Sequence, residues 1–253
     1  MSEARQQERV DNLLVMRGLC DSREQAKRLV LAGEVRCGDR TLDKPGAKIP
    51  SDSPIEVMQK PRYVGRGGLK LEAALSSFNI SPTGWICADI GASTGGFTDC
   101  LLQHGAARVH AVDVGTNQLV WKLRNDPRVI VREQFNARHI QPDELGEKIR
   151  LAVMDLSFIS LTKVLPAIFP LLDEQGTIVC LIKPQFELRR EDIAKGGIVR
   201  DPNLHQVAVD KIRNHVTAEL NQEWLDLIPS PITGTDGNRE FLAWLGQKIP
   251  ESA

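Results

Sequence analysis

From Trp85 onward, short apolar runs alternate with stretches in which apolar residues recur every three or four positions. The runs "WICADIG" (85–91), "ARVHAVDV" (107–114), "RVIVRE" (128–133), "RLAVMDL" (150–156) and "TIVCLIK" (177–183) are rich in β-branched residues and nearly continuous in hydrophobicity. That is the pattern of strands buried on both faces. Between and after them, "GFTDCLLQHG" (96–105), "NQLVWKLRND" (117–126), "LTKVLPAIFPLL" (161–172) and a longer stretch from about Asn203 to Leu220 carry helical spacing. Strands separated by helices predict a doubly wound parallel sheet. Two further strands, "EWLDLI" (223–228) and "EFLAWLG" (240–246), follow without a helix between them, so the last strand is expected to run antiparallel.

The first sixty residues are different. "ERVDNLLVMRG" and "SREQAKRLVLAG" predict two short helices ending at Gly18 and Gly33, with Ser22 as a cap for the second. "EVRCGDRTLDKPGAKI" and "SPIEVM" then alternate and turn like small strands. The Pro- and Gly-bearing stretch "QKPRYVGRGG" separates the two patterns, and the division is placed at residues 1–59, a linker 60–66 and a second domain 67–253.

Composition narrows the class without naming a function. With 42% hydrophobic and 26% charged residues, the chain has the profile of a globular protein. The polar start and the short apolar runs give no signal peptide or membrane span, so a cytoplasmic protein is expected. Five cysteines without a CxxC pair read as reduced core residues, and no metal cluster is apparent. The net charge of −1 carries no sign of a nucleic-acid partner, and residues 1–59 balance ten basic against ten acidic side chains. Basicity is local: Arg17, Arg23, Lys27 and Arg28 share much of one helical face, and Lys60, Arg62 and Arg66 follow in the linker. Such a face suits RNA phosphates, although a solvated helix face carries the same charges.

In sheets of this kind ligands bind beyond the carboxyl ends of the strands, where "DIGASTGG", "VDVG", "MDLS" and "IKPQ" all fall. Read as GxSxG, the first of these makes Ser93 a hydrolase nucleophile, with Asp155 and His205 in the right order behind it. Asp89 within the strand and the extra glycines Gly95 and Gly96 argue against that reading. The dinucleotide fingerprint GxGxxG fails as well, since Ala92, Ser93 and Thr94 fill its middle. What remains is a cofactor without a pyrophosphate. Gly91, Gly95 and Gly96 let the backbone approach it, and Asp113, 22 residues after Gly91, accepts hydrogen bonds from a ribose diol. S-adenosylmethionine fits, with Asp89 near its cationic amino-acid end, directly or through water.

"YVGRGGLKLEAAL", "ADIGASTGGFTDCLL", "MDLSFISL", "LIKPQFE", "GGIVRD" and "SPITGTDGNREF" resemble, nearly word for word and over almost the whole chain, the TlyA family of ribosomal RNA methyltransferases, also called hemolysin A proteins. The resemblance implies a Rossmann-like class I methyltransferase domain of FtsJ type behind a small S4-like α+β RNA-binding domain. It implies S-adenosyl-L-methionine as cofactor, ribosomal RNA or a ribosomal subunit as partner, and 2′-O-methylation of a cytidine ribose as the reaction. The Lys-Asp-Lys-Glu set of FtsJ-like enzymes falls on Lys70, Asp155, Lys183 and Glu240. Asp89, Gly91, Ser93, Gly95, Gly96, Asp113, Asn136 and Asp155 are the expected cofactor contacts. The RNA-binding set is Arg17, Arg23, Lys27, Arg28, Arg62 and Arg66.

A ribose hydroxyl is hardly ionised at neutral pH, so the chemistry needs a group that orients it and takes up or stabilises its charge. Lys183 is expected to touch that hydroxyl, positioned by Asp155 and Glu240, as base or as oxyanion stabiliser, with Lys70 assisting. Taken singly, Lys70 on an amphipathic helix also reads as a solvated lysine. "DLSF" lacks the paired prolines of amino-nitrogen methyltransferases. A noncatalytic RNA-binding factor keeps the fold without the four-residue set, and a secreted pore-former has only the hemolysin name in its favour.

Overall fold

The computed structural model describes residues 6–58, 61–194, 196–234 and 237–248. It divides into two compact units, Met1–Pro61 and Arg62–Ala253.

In the first unit, strand β1 (Gln7–Arg9) leads into helices α1 (Val10–Met16) and α2 (Arg23–Leu31), followed by β2 (Val35–Cys37), β3 (Arg40–Thr41), β4 (Lys48–Pro50) and β5 (Ile55–Val57). Ser22 caps α2 by accepting from the Gln25 N–H at 3.2 Å. Gly18 and Gly33 follow the two helices at positive φ, as their sequence positions predict. β1 pairs with β4, and β3, β2 and β5 form a second small sheet. Val10, Leu13, Leu14, Ala26, Val30 and Val35 make the core.

Helix α3 (Gly67–Ser77) opens the second unit. Its elements then run β6 (Ile86–Ile90), α4 (Gly96–Gln103), β7 (Arg108–Val112), α5 (Trp121–Arg124), β8 (Val129–Arg132), β9 (Ile149–Met154), α6 (Leu165–Ile168), β10 (Leu172–Ile182), α7 (Pro184–Glu187), α8 (Pro202–Asn214), β11 (Glu223–Pro229) and β12 (Phe241–Gly246). They build a seven-stranded sheet in the order β11-β12-β10-β9-β6-β7-β8. The five strands from β10 to β8 are parallel to one another, and β12 is antiparallel to both of its neighbours.

Two expected helices are shorter than their periodicity. Residues 161–172 break into a 3₁₀ turn, the four-residue α6 and a second 3₁₀ turn, because Pro166 and Pro170 cannot donate to a continuous ladder. Only Trp121–Arg124 of residues 117–126 is helical, since Asn117 sits at φ 54. Four cysteines are buried, Cys37 is half-buried, and all five are free. No helix among the described residues is long and apolar enough to cross a membrane.

Candidate active site

Strand β6 ends at the glycine turn. Gly91 stands at φ 88, and a Cβ there would lie 2.8 Å from the Asp155 carbonyl oxygen; Gly95 stands at φ 98, where a Cβ would strike Leu119 and Leu123. Both positions need the left-handed backbone and the missing side chain, which is why this turn is glycine-rich. Ser93 between them is itself left-handed, at φ 46. Gly96 opens α4 against the backbone of Gly65 and Gly68.

Beyond this turn lie two cavities. The larger, about 480 Å³, is walled by Val112, Val114, Phe135, Leu156 and Ile159, with Asp113, Asn136, Gly91 and Ser93 as its polar side. Asp113 accepts from the Ser93 N–H at 2.8 Å and the Gly115 N–H at 2.7 Å, so it braces the glycine turn as well as facing the cavity. The Asn136 side chain accepts from the Arg138 N–H at 3.1 Å. The smaller cavity, about 280 Å³, holds Lys70, Asp155, Lys183 and Glu240 together with Arg66 and Gly96. Gly91, Ser93, Asp155 and Ser157 belong to both walls, so the two cavities meet there.

The four charged side chains come from four separated elements. Lys70 lies on α3, Asp155 follows β9, Lys183 follows β10, and Glu240 precedes β12. Lys70 is buried rather than solvated: its Nζ donates to Glu240 Oε2 at 2.6 Å and lies 3.7 Å from Asp155 Oδ2. Lys183 Nζ lies 2.6 Å from Asp155 Oδ1 and donates to Ser157 Oγ at 3.0 Å. The expected pairing is therefore corrected in one respect. Glu240 serves Lys70, not Lys183, because antiparallel β12 brings it to the α3 side, and Asp155 stands between the two lysines.

Asp89 is not in either wall. It is fully buried, and its Oδ2 accepts from the Thr98 N–H at 2.8 Å and hydroxyl at 2.7 Å, tying β6 to the first turn of α4. Its Oδ1 has no hydrogen-bond partner among the described residues. Burial pushes its carboxyl up to about 7 against the lowering effect of the Thr98 bonds, and the charges of Asp155 and Asp113 add to the rise. One oxygen of Asp89 is thus committed to α4, and the other stands behind the glycine turn without a partner among the described residues.

The hydrolase arrangement is not assembled. His205 is buried on α8, with Nε2 2.9 Å from the Val199 carbonyl oxygen, and it lines neither cavity. No group of three or more His, Cys, Asp or Glu side chains fit to hold a metal occurs among the described residues.

The expected RNA-contacting residues divide. Arg17 donates to the carbonyls of Ser53 at 2.7 Å and Ser51 at 2.5 Å, and Arg23 pairs with buried Asp11 at 3.1 Å. Lys27 and Arg28 are exposed on α2. Arg62 pairs with Glu72, Arg66 donates to the Thr233 carbonyl at 3.0 Å, and Lys60 lies outside the described residues. Ser157, which accepts from Lys183 and borders both cavities, is absent from the sequence-based set; its signal there is its place two residues after a strand-end acid.

A parallel sheet with this strand order, a glycine turn after its first strand and an acid at the end of its second defines a Rossmann-like methyltransferase. A solved S-adenosylmethionine-dependent methyltransferase from Mesorhizobium loti shares the fold, with a TM-score of 0.53 at 14% identity over 72% of this chain and all of that one. The chain belongs to the FtsJ-like methyltransferase family, whose sequence model matches residues 63–247, and an S4 domain matches residues 8–53. It is 44% identical, over 94% of its length and 89% of the relative's, to the 16S/23S rRNA (cytidine-2′-O)-methyltransferase TlyA of Mycobacterium tuberculosis. A solved protein from Streptococcus thermophilus, provisionally named a hemolysin, is 48% identical with a TM-score of 0.72 over 97% of this chain and 90% of that one.

Proposed function

We propose that the protein transfers the methyl group of S-adenosylmethionine to the 2′-oxygen of a cytidine ribose in ribosomal RNA. The observation that carries this reading is the meeting of the two cavities at Asp155 and Ser157, with paired lysines and carboxylates on one side and an apolar pocket edged by Asp113 and Asn136 on the other. The larger cavity fits the cofactor: its apolar walls suit a flat base, Asp113 suits a ribose diol, and Gly91 leaves the backbone open. When bound, that cofactor supplies an electrophilic methyl on a sulfonium.

The residues of this chain do the rest. Lys183, set against Asp155, donates to the attacking oxygen and stabilises the charge that builds there, while the ribose hydroxyl gives up its proton to the Asp155 carboxylate, which borders the same cavity. Asp155 holds both lysines in place, and Glu240 fixes Lys70 beside the same hydroxyl or its neighbouring phosphate. Arg66, at the mouth of the smaller cavity, and the exposed pair Lys27 and Arg28 take RNA phosphates. Residues 1–59 thus act as the RNA-docking part and 67–253 as the catalytic part, in the cytoplasm, where ribosomes are.

The test is transfer of labelled methyl to ribosomal subunits and to naked ribosomal RNA from cells lacking this modification, followed by nuclease digestion. Label recovered as 2′-O-methylcytidine is the expected result. Label on a base, or none on either substrate, overturns the assignment.

A further inference from the structure

We infer that Ser157 is a positioning residue for the methyl transfer, setting the direction in which Lys183 presents its free N–H; this rests on the reading of the site given above. A lysine ammonium has three N–H groups on a flexible stem, and by itself it points nowhere in particular. Here Asp155 Oδ1 attracts the Lys183 Nζ as an ion-pair partner at 2.6 Å, and Ser157 Oγ accepts its hydrogen bond at 3.0 Å. The charge keeps the group near Asp155 without fixing where its N–H groups point, and the hydroxyl fixes one of them. Removing the hydroxyl lets the group turn about its ion pair.

The place of Ser157 matches that task. Of the four residues that wall both cavities, Gly91 has no side chain and Asp155 is the carboxylate partner already described. The Ser93 hydroxyl makes no hydrogen bond among the described residues, and its backbone N–H goes to Asp113. Ser157 is the uncharged side chain of both walls that accepts a hydrogen bond from Lys183. Phe158, at φ 64, turns the chain immediately after Ser157.

The full-length protein tests this with Ser157→Ala and Ser157→Thr in single-turnover transfer to ribosomal RNA from cells lacking the modification, with cofactor saturating. Misdirecting one reacting contact lowers the rate by roughly a hundredfold in Ser157→Ala. Cofactor affinity and the RNA concentration for half-maximal rate stay within about twofold of wild type, which a merely structural role would not predict. Ser157→Thr, which keeps the hydroxyl, restores most of the rate. A second arm needs no RNA: ¹⁵N relaxation of the Lys183 ammonium, identified by its loss in Lys183→Arg, shows an ordered group that loosens in Ser157→Ala and tightens again in Ser157→Thr. A Ser157→Ala protein with the wild-type rate, or an equally ordered ammonium, overturns the proposal. If wild-type protein leaves the RNA unlabelled, the substrate reading falls and the relaxation arm still decides the role of Ser157.

Discussion

Each unit contains one acid held between two bases, and the two clusters are built inside out from one another. In the first unit the Asp11 side chain is fully buried, while Arg9 and Arg23 reach it from the surface with 38% and 52% of their side chains exposed. In the second, the lysines are the buried partners, Lys70 and Lys183 at 9% and 10%, and Asp155 is the more open at 22%. A buried acid with solvated cations anchors: Asp11 accepts from Arg9, from Arg23 and from the Asn12 N–H, and nothing is left for a ligand. Enclosed lysines on a carboxylate that borders two cavities leave the cluster open to a ligand. One arrangement holds a fold, and the other, on the function proposed above, equips a reaction, according to which partner is withdrawn from water.

The largest expected effect breaks the second cluster. Lys183→Ala loses roughly a hundred- to thousandfold in single-turnover transfer with cofactor affinity kept, since its N–H is needed where charge develops. Ser93→Ala loses far less; the reverse order of the two would restore the hydrolase reading. Next comes Asp113→Ala, which removes a charged acceptor worth roughly 1.5 to 3 kcal/mol and weakens cofactor binding in calorimetric titration, while Asp113→Asn loses less because it still accepts from Ser93.

The first cluster is sharpened by acid. Hydrogen bonds from Arg9, joined by those from Arg23, hold Asp11 at about 2, below its unfolded value near 4. Its contribution is present above about pH 4 and disappears as pH falls toward 2. Chemical denaturation of wild type against Asp11→Asn at stepped pH shows a gap of about 2 kcal/mol near neutrality that closes in that window. Smallest is the effect of Lys27→Ala with Arg28→Ala: the salt dependence of RNA binding flattens by about one unit of slope for each lost phosphate contact. Folding is untouched, whereas Arg23→Ala costs stability as well.

Which of this the sequence discloses depends on the range of the interaction. The alternation from Trp85 to Lys183 reveals the parallel sheet because each strand carries its own burial pattern. The reversed β12 follows from two strands without a helix between them. Prolines at 166 and 170 state locally that residues 161–172 cannot be one helix, a signal that periodicity alone overrode. The burial of Lys70 has no local signature, since the same spacing serves a solvated lysine; it follows from Glu240, 170 residues away, arriving against α3. The bond of Asp89 to Thr98 has no local signature either, because it depends on how α4 starts after the glycine turn. Arg17 and Arg23 read as one basic face because their backbone and Asp11 partners are invisible in a helical projection.

The insertion of β12 between β10 and β11 also sets a clock on the assembly of the charged cluster. During synthesis, Lys70, Asp155 and Lys183 emerge before Glu240, and β10 keeps an unpaired edge until Phe241–Gly246 closes it. A nascent or truncated chain therefore carries an incomplete charge set, and Lys70 lacks its Glu240 partner until that strand has been made and seated.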